Sequence, residues 1–282
     1  MSPHSILTLT ILTGGGSFVA GLVGAMTGLG GGVVLIPMLT LGFGVDIRYA
    51  IGASLVSVIA TSSGAAAAYV REGYTNIRVG MFLEIATSLG AIGGAALATR
   101  IQPMWIGLVF GIVLLHAALT SLRPHSQDLG SASSPSALAQ VLRLDSSYPT
   151  QDGMRSYRVQ SVPTGFALMG VAGVLSGLLG IGSGAIKVLA MDRAMKLPFK
   201  VSTTTSNFMI GVTAAASAGV YLGKGYIDPG LSMPVMLGVL AGSMLGARLL
   251  TKAPTRQLRW LFGIVIAVLA VEMIYSSLTG RF

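Results

Sequence analysis

The sequence predicts an all-α, polytopic membrane protein built from two inverted repeats, each of about five helical segments broken by glycine. Three observations carry this reading. A mean hydropathy of +0.78, with 52% hydrophobic and 10% charged residues, lies far from a soluble domain, in which about 25% of residues are charged. Residues 21 to 115 match residues 173 to 267 without a gap, at a constant offset of 152. Apolar stretches of roughly 20 residues, the length needed to span a bilayer, recur through both copies.

The repeat is anchored on glycine, where Gly28, Gly30 and Gly32 meet Gly180, Gly182 and Gly184. The register then holds to the end. Ser54 meets Ser206, Thr61 meets Thr213, Tyr69 meets Tyr221, Gly73-Tyr74 meets Gly225-Tyr226, and Phe110-Gly-Ile-Val meets Phe262-Gly-Ile-Val. Duplicated apolar units are a common plan of secondary transporters, whose substrate site lies between the repeats near the bilayer midplane.

In chain order, the first repeat (1 to 122) carries spanning segments at 6–27, 50–70, 79–99 and 104–122, and the second (164 to 282) at 164–180, 201–222, 231–250 and 260–278. Shorter apolar segments, 33–43 and 185–195, follow the glycine runs and bring the total from eight to ten. The first segment lacks the positive n-region of a signal peptide and runs straight into the repeat, so it reads as a membrane helix. Asn76 and the matching Asp228-Pro229 are helix-start residues. Gly90-x-x-x-Gly94 and its copy Gly242-x-x-x-Gly246 fit close helix packing in lipid. Residues 123 to 163, rich in Ser, Pro and Asp, hold no spanning segment and read as a solvated tether, with a short surface helix over Ser136 to Leu144 as the alternative.

Charge gives the orientation. If the short segments cross, the second half is inverted relative to the first. Arg71, Arg78, the linker arginines, Arg193, Lys196, Lys200, Arg248, Lys252, Arg256 and Arg259 then share one side, leaving Arg48, Arg100, Lys224 and Arg281 on the other. Without those crossings the halves are parallel and the two sides are nearly equal. Cytoplasmic loops carry the Lys/Arg excess, so the linker is expected in the cytoplasm and both termini outside. The formal net charge of +9 reports topology in this way and not nucleic-acid binding.

The glycine runs interrupt apolar segments at corresponding positions, which points to a binding site. Gly30, Gly31 and Gly32, and Gly182, Ser183 and Gly184, allow a tight turn that exposes backbone N–H groups at the start of the next half-helix, where anions are favoured. Lys187 follows on the first turn of an apolar segment, and an ionisable residue inside a membrane is a functional candidate. Thr203, Ser206 and Asn207 share one helix face, with Thr204 beside them; Ser54, Ser57 and Thr61 share a face in the first half. These side chains are expected either to complete an oxyanion shell or to bond between helices. Glu84, two turns inside its helix, is the proton-coupling candidate. Glu272, Asp192 and His116 lie nearer helix ends and read as interfacial.

Enzyme chemistry finds no support. Gly182-Ser183-Gly184 resembles a serine-protease loop, yet the only histidines, His4, His116 and His125, all precede it. Leu222-Gly-Lys-Gly lacks the P-loop spacing, no His or carboxylate cluster has metal spacing, and there is no cysteine. No catalytic residue, metal or cofactor is expected.

Gly28-Leu-Gly-Gly-Gly-Val-Val-Leu-Ile-Pro37, Gly180-Ile-Gly-Ser-Gly-Ala-Ile-Lys187, Thr204-Thr-Ser-Asn-Phe-Met209 and Gly238-x-x-x-Gly242-x-x-x-Gly246-Ala-Arg248 together resemble the TauE/SafE sulfite exporter family. The resemblance covers nearly the whole chain except the linker. It implies an inner-membrane permease, generally an exporter, for sulfite, sulfonates such as sulfoacetate, or related small anions. Ser183, where a third glycine is common in that family, and Leu189, opposite Pro37, depart from the pattern. The expected function is therefore secondary transport of a small anion by alternating access of the repeats, with the lipid bilayer as surroundings and a homodimer as one admissible assembly. A non-transporting assembly or sensing subunit and an anion channel are the alternatives.

Overall fold

A computed structural model describes residues 3–27, 31–71, 73–121, 136–150, 153–250 and 255–280. The first half contains α1 (Pro3–Thr27), α2 (Gly32–Pro37), α3 (Ile47–Arg71), α4 (Ile77–Ala98) and α5 (Pro103–Ser121). After α6 (Ala137–Val141), β1 (Ser146–Thr150) and β2 (Gly153–Tyr157) come α7 (Val162–Leu179), α8 (Gly184–Leu189), α9 (Phe199–Gly223), α10 (Pro229–Leu250) and α11 (Thr255–Leu278). Helices α2 and α8 continue directly into π turns, Met38–Gly42 and Ala190–Ala194. The starts of α2, α3, α4 and α5 recur 152 residues later in α8, α9, α10 and α11, so the offset read in the sequence is also the offset of the structure.

The packing follows the same exchange. Helix α1 lies on α10 and α7 on α4; α4 packs on α9 and α10 on α3; α3 faces α9, and α5 faces α11. Neither half completes its core alone. Small residues permit the contacts: a Cβ on Gly94 would overlap the Val174 carbonyl oxygen, and one on Gly242 would overlap that of Phe18. The two glycine pairs therefore serve backbone-to-backbone packing, as small residues do between helices in lipid.

The equivalent helices α3 and α9 begin against opposite ends of α4. Arg48, on the first turn of α3, donates to the carbonyls of Ala98 (3.3 Å), the last residue of α4, and Ile101 (2.6 Å), just beyond it. At the other end Asn76 caps α4, its Oδ1 accepting from Val79 N at 3.1 Å, while its own N–H donates to Thr205 Oγ1 of α9 at 3.0 Å. Arg48 sits 5.5 Å from the Tyr226 ring centroid, and its counterpart Lys200 sits 4.5 Å from that of Tyr74, the counterpart of Tyr226. Helix α4, of 22 residues, is about 33 Å long, so these two cation–aromatic contacts lie a bilayer's width apart.

The linker departs from the expected tether. Its described part forms α6 and an antiparallel hairpin in which Ser146 pairs with Tyr157 and Thr150 with Gly153, so the all-α expectation holds for the apolar segments but not for the linker. Ala139, Leu144 and Val159 are buried in a second core with Val79, Val162 and Val201 from the first turns of α4, α7 and α9. Asn76 Nδ2 donates to Leu144 O (2.9 Å) and Tyr157 Oη (2.8 Å). Burial pushes the Tyr157 phenol above its ordinary range, which keeps it neutral.

The outside of the bundle is apolar. On α4, Met81, Ile85, Leu89 and Ile92 form an exposed stripe at helical spacing, opposite buried Leu83, Ala86, Thr87 and Ala91. Among the described residues, Ile77–Ala98, Val162–Leu179 and Pro229–Gly246 are long and apolar enough to cross a membrane, and five shorter apolar helices accompany them. A soluble monomer rarely exposes such surfaces; this is a multi-pass membrane protein.

Replacing Gly94 with Val is expected to destabilise the α4–α7 contact by about 3 kcal/mol, as overpacking does. Gly93→Ala, whose Cβ would meet nothing within 4 Å, should be neutral or stabilising. Thermal unfolding in detergent micelles checks both.

Candidate anion site between the halves

The second glycine break sits in the seam between α3 and α9. Gly180 and Gly182 have φ of +67° and +72°, the left-handed region that glycine enters without steric cost. A Cβ on Gly182 would lie 2.9 Å from Ile210 and 3.5 Å from Val58, which are equivalent residues near the middles of α9 and α3. The break therefore lies where the two halves meet, about midway along their central helices. The first break abuts it: Ser54 Oγ donates to Gly180 O at 2.8 Å, and a Cβ on Gly32 would come 3.2 Å from the same oxygen. Gly31 precedes α2 against Val239 of α10. Gly30, expected in the site, lies outside the described residues.

Lys187 is fully buried. Its ammonium donates to Thr213 Oγ1 at 2.5 Å, and Thr213 Oγ1 in turn lies 2.7 Å from Glu84 Oε1. Ser88, one turn along α4, donates to the same carboxylate oxygen at 2.9 Å. Glu84, only 8% exposed, thus reaches across from the first half to the cation of the second through one hydroxyl. Its other oxygen, Oε2, is buried without a hydrogen-bond partner among the described residues. An ammonium has three protons to donate, and among the described residues Thr213 takes one of them.

Ser183 lies one turn before Lys187, at the head of α8. Its φ of +45° is left-handed for a residue with a side chain, and its hydroxyl is buried with no partner among the described residues. A strained backbone with an unpartnered buried donor, four residues before a buried cation, is the kind of site that a ligand would complete.

The other expected hydroxyls bond to backbone carbonyls. Ser57 donates to Ala53 O (2.9 Å), Thr203 to Phe199 O (2.9 Å), and Thr204 to Lys200 O (3.0 Å), all one turn back on their own helices. Ser206 donates to Gly184 O at 3.2 Å and so ties the break to α9. Asn207 is half-buried on α9. Thr213 and Ser88 were not among the residues singled out in the sequence. Thr213 lies seven residues after Ser206, on the same face of α9, and Ser88 lies four after Glu84. Those spacings were the available signals. Glu272 and His116 are exposed, and Asp192 is half-buried in the π turn.

Ser183→Gly should raise stability by about 1 kcal/mol by relieving the left-handed strain, seen as a higher unfolding temperature. The same variant should bind anion more weakly, because the free hydroxyl is lost.

Comparison with known proteins gives the family. The chain is 26% identical to the probable membrane transporter protein YunE of Bacillus subtilis (strain 168), over 92% of this chain and 95% of the relative. It is 27% identical to YdhB of the same organism, over 84% and 89%. It is also 25% identical to a probable membrane transporter protein of Xylella fastidiosa (strain 9a5c), over 97% of each chain. No solved structure matches. A family model described as sulfite exporter TauE/SafE matches residues 13–273, and the chain belongs to that family.

Proposed function

We propose that this protein is a secondary transporter of small anions such as sulfite or organosulfonates, an exporter of the inner membrane. The anion is held at the second glycine break by Lys187 and Ser183, with Gly182 and Gly184 giving it access to backbone N–H groups. Ser54 and Ser206 hold the two breaks in shape, and at the first break Gly31 and Gly32 leave room for Val239 and Ser54. Ser57, Thr203, Thr204 and Asn207 line the helices that frame it. The observation that carries the reading is Lys187: a cation with no exposure to solvent, placed where the halves meet, with two donors unspent among the described residues. A buried charge in a membrane protein without such a role is costly. Family membership and the names of the relatives, probable membrane transporters, support the same conclusion.

In this reading the halves, 1–122 and 164–282, are inverted repeats that rock about the break to alternate access. The equivalent helices α3 and α9, starting against opposite ends of α4, support the inversion. The distribution of basic residues supports a cytoplasmic linker, 123–163, with both termini outside.

Reconstituted in liposomes, the wild-type protein should carry sulfite or a sulfonate with saturable kinetics. Lys187→Met, an apolar replacement of similar length, should fold and lose at least about tenfold of that flux, the effect of roughly 1.4 kcal/mol of lost anion binding. Unchanged kinetics would remove Lys187 from the site. No flux of any anion through folded wild-type protein would favour a non-transporting subunit instead.

A further inference from the structure

The pair joined by Thr213 spans the two halves and has no copy under the 152-residue offset. The positions equivalent to Lys187, Glu84 and Ser88 are Leu35, Met236 and Leu240, all apolar, while Thr213 matches Thr61. Thr61 spends its hydroxyl on the carbonyls of Ser57 (3.0 Å) and Val58 (3.2 Å). Among the described residues, therefore, this central cation and carboxylate have no symmetric duplicate.

Thr213 has one proton and two acceptors in reach, Glu84 Oε1 at 2.7 Å and Met209 O at 3.0 Å. Turned toward Glu84, it joins the carboxylate to Lys187; turned toward Met209, it releases the carboxylate. Few other charges bear on Glu84. Helix α7, packed against α4, contains no ionisable side chain. Those of α9 are bonded elsewhere, Lys200 to Tyr74 Oη at 3.4 Å and Tyr221 to Gly177 O at 3.2 Å. Asp192 and Arg193 lie in the π turn beyond α8 and are partly or fully exposed. Near the α4 start, Arg78 reaches out to Arg143 O at 3.3 Å, and Tyr157 bonds Asn76. Lys187 is thus the counter-charge of Glu84 among the described residues.

Resting on the reading of Lys187 as the anion site, we propose that Glu84 is a resident substitute for the transported anion, and that the two exchange. With no substrate, the Glu84 carboxylate balances Lys187 through Thr213. An arriving anion takes the unspent donors of Lys187, and Glu84, deprived of its counter-charge, takes up one proton on the unpartnered Oε2. Lys187 stays an ammonium throughout. The empty pair (Lys187 cation, Glu84 anion) and the loaded set (Lys187 cation, bound anion, neutral Glu84) both carry no net charge. Both can cross the low-dielectric centre without an uncompensated buried ion. One monovalent anion accordingly moves with one proton, in the direction set by their combined gradients. Export of an anion made inside proceeds when its own gradient exceeds that of the proton.

The test is a paired flux measurement in proteoliposomes, with bisulfite and with ethanesulfonate, whose single charge does not titrate. A trapped pH dye counts protons, potassium with valinomycin sets the potential, and protein-free vesicles give the leak. Wild-type protein is expected to move one proton per ethanesulfonate at a rate the potential does not change, while bisulfite, which releases a further proton as it titrates, reports anion flux only. In Glu84→Gln, the anion that still crosses should carry less than a tenth of a proton and become sensitive to potential. Thr213→Ser should keep the wild-type ratio, and Thr213→Val should lose it. Wild-type flux that is driven by potential or unaccompanied by protons overturns the proposal and needs no variant to do so. A wild-type proton ratio in Glu84→Gln overturns it as well. Absence of any anion flux in wild type removes the underlying transport reading, a result distinct from transport without protons.

Discussion

An ammonium group without solvent must find its counter-charge inside the protein, and the interior of this molecule is organised around that need. Removing one partner of a buried charge pair typically costs about 3–5 kcal/mol, so Lys187 on α8 and Glu84 on α4 bind the fate of one half to that of the other. Thr213 makes the bond indirect. A direct ion pair would leave little for a ligand to gain, whereas a pair held apart by one hydroxyl keeps donors of Lys187 unspent. At Gly182 the side chains of α3 and α9 close in from both sides, so that a residue without a Cβ is what fits between them.

Symmetry and asymmetry serve different purposes here. Away from the breaks the backbone is symmetric: helix starts, π turns, glycine contacts and even the two cation–aromatic contacts, Arg48 on Tyr226 and Lys200 on Tyr74, exchange under the same offset, whereas Gly31 is right-handed and its equivalent Ser183 left-handed. Two equivalent packings are what a pair of repeats needs in order to rock between two similar states. The chemistry is not symmetric. Leu35 in the first half and Met236 in the second stand where the offset would repeat Lys187 and Glu84, so among the described residues this charge pair has no symmetric copy. The closures at the ends also differ, since Arg48 adds two carbonyl bonds to its aromatic contact while Lys200 adds one long bond to the Tyr74 hydroxyl.

Much of this was legible in the residues. Apolar length located the helices to within a few residues, since a membrane demands internally satisfied backbone over a fixed thickness. The duplicated glycine run located the breaks, and at the second one the backbone is left-handed at Gly180 and Gly182. Lys187 and Glu84 were legible as charges in apolar surroundings; their joining was not, because it runs through Thr213, a residue type common in membrane helices for ordinary packing. The use of Ser57, Thr203 and Thr204 could not be read either. A hydroxyl bonded to its own helix and one facing a ligand both lie on the interior face. The linker hairpin escaped notice because Ser146–Thr150 contains Pro149 and shows no alternation of apolar and polar residues. Its order comes from Leu144 and Val159 packing on the helix starts.

The central claim is that a transported anion sits beside Lys187 at the second glycine break. Locating 2-bromoethanesulfonate by the anomalous signal of its bromine, in crystals of the protein grown with it, tests this most directly. The account predicts a sulfonate within hydrogen-bond distance of Lys187 Nζ and Ser183 Oγ, with Thr213 turned from Glu84 toward Met209 O. A sulfonate bound elsewhere, with Lys187 still bonded through Thr213 to Glu84, would contradict it.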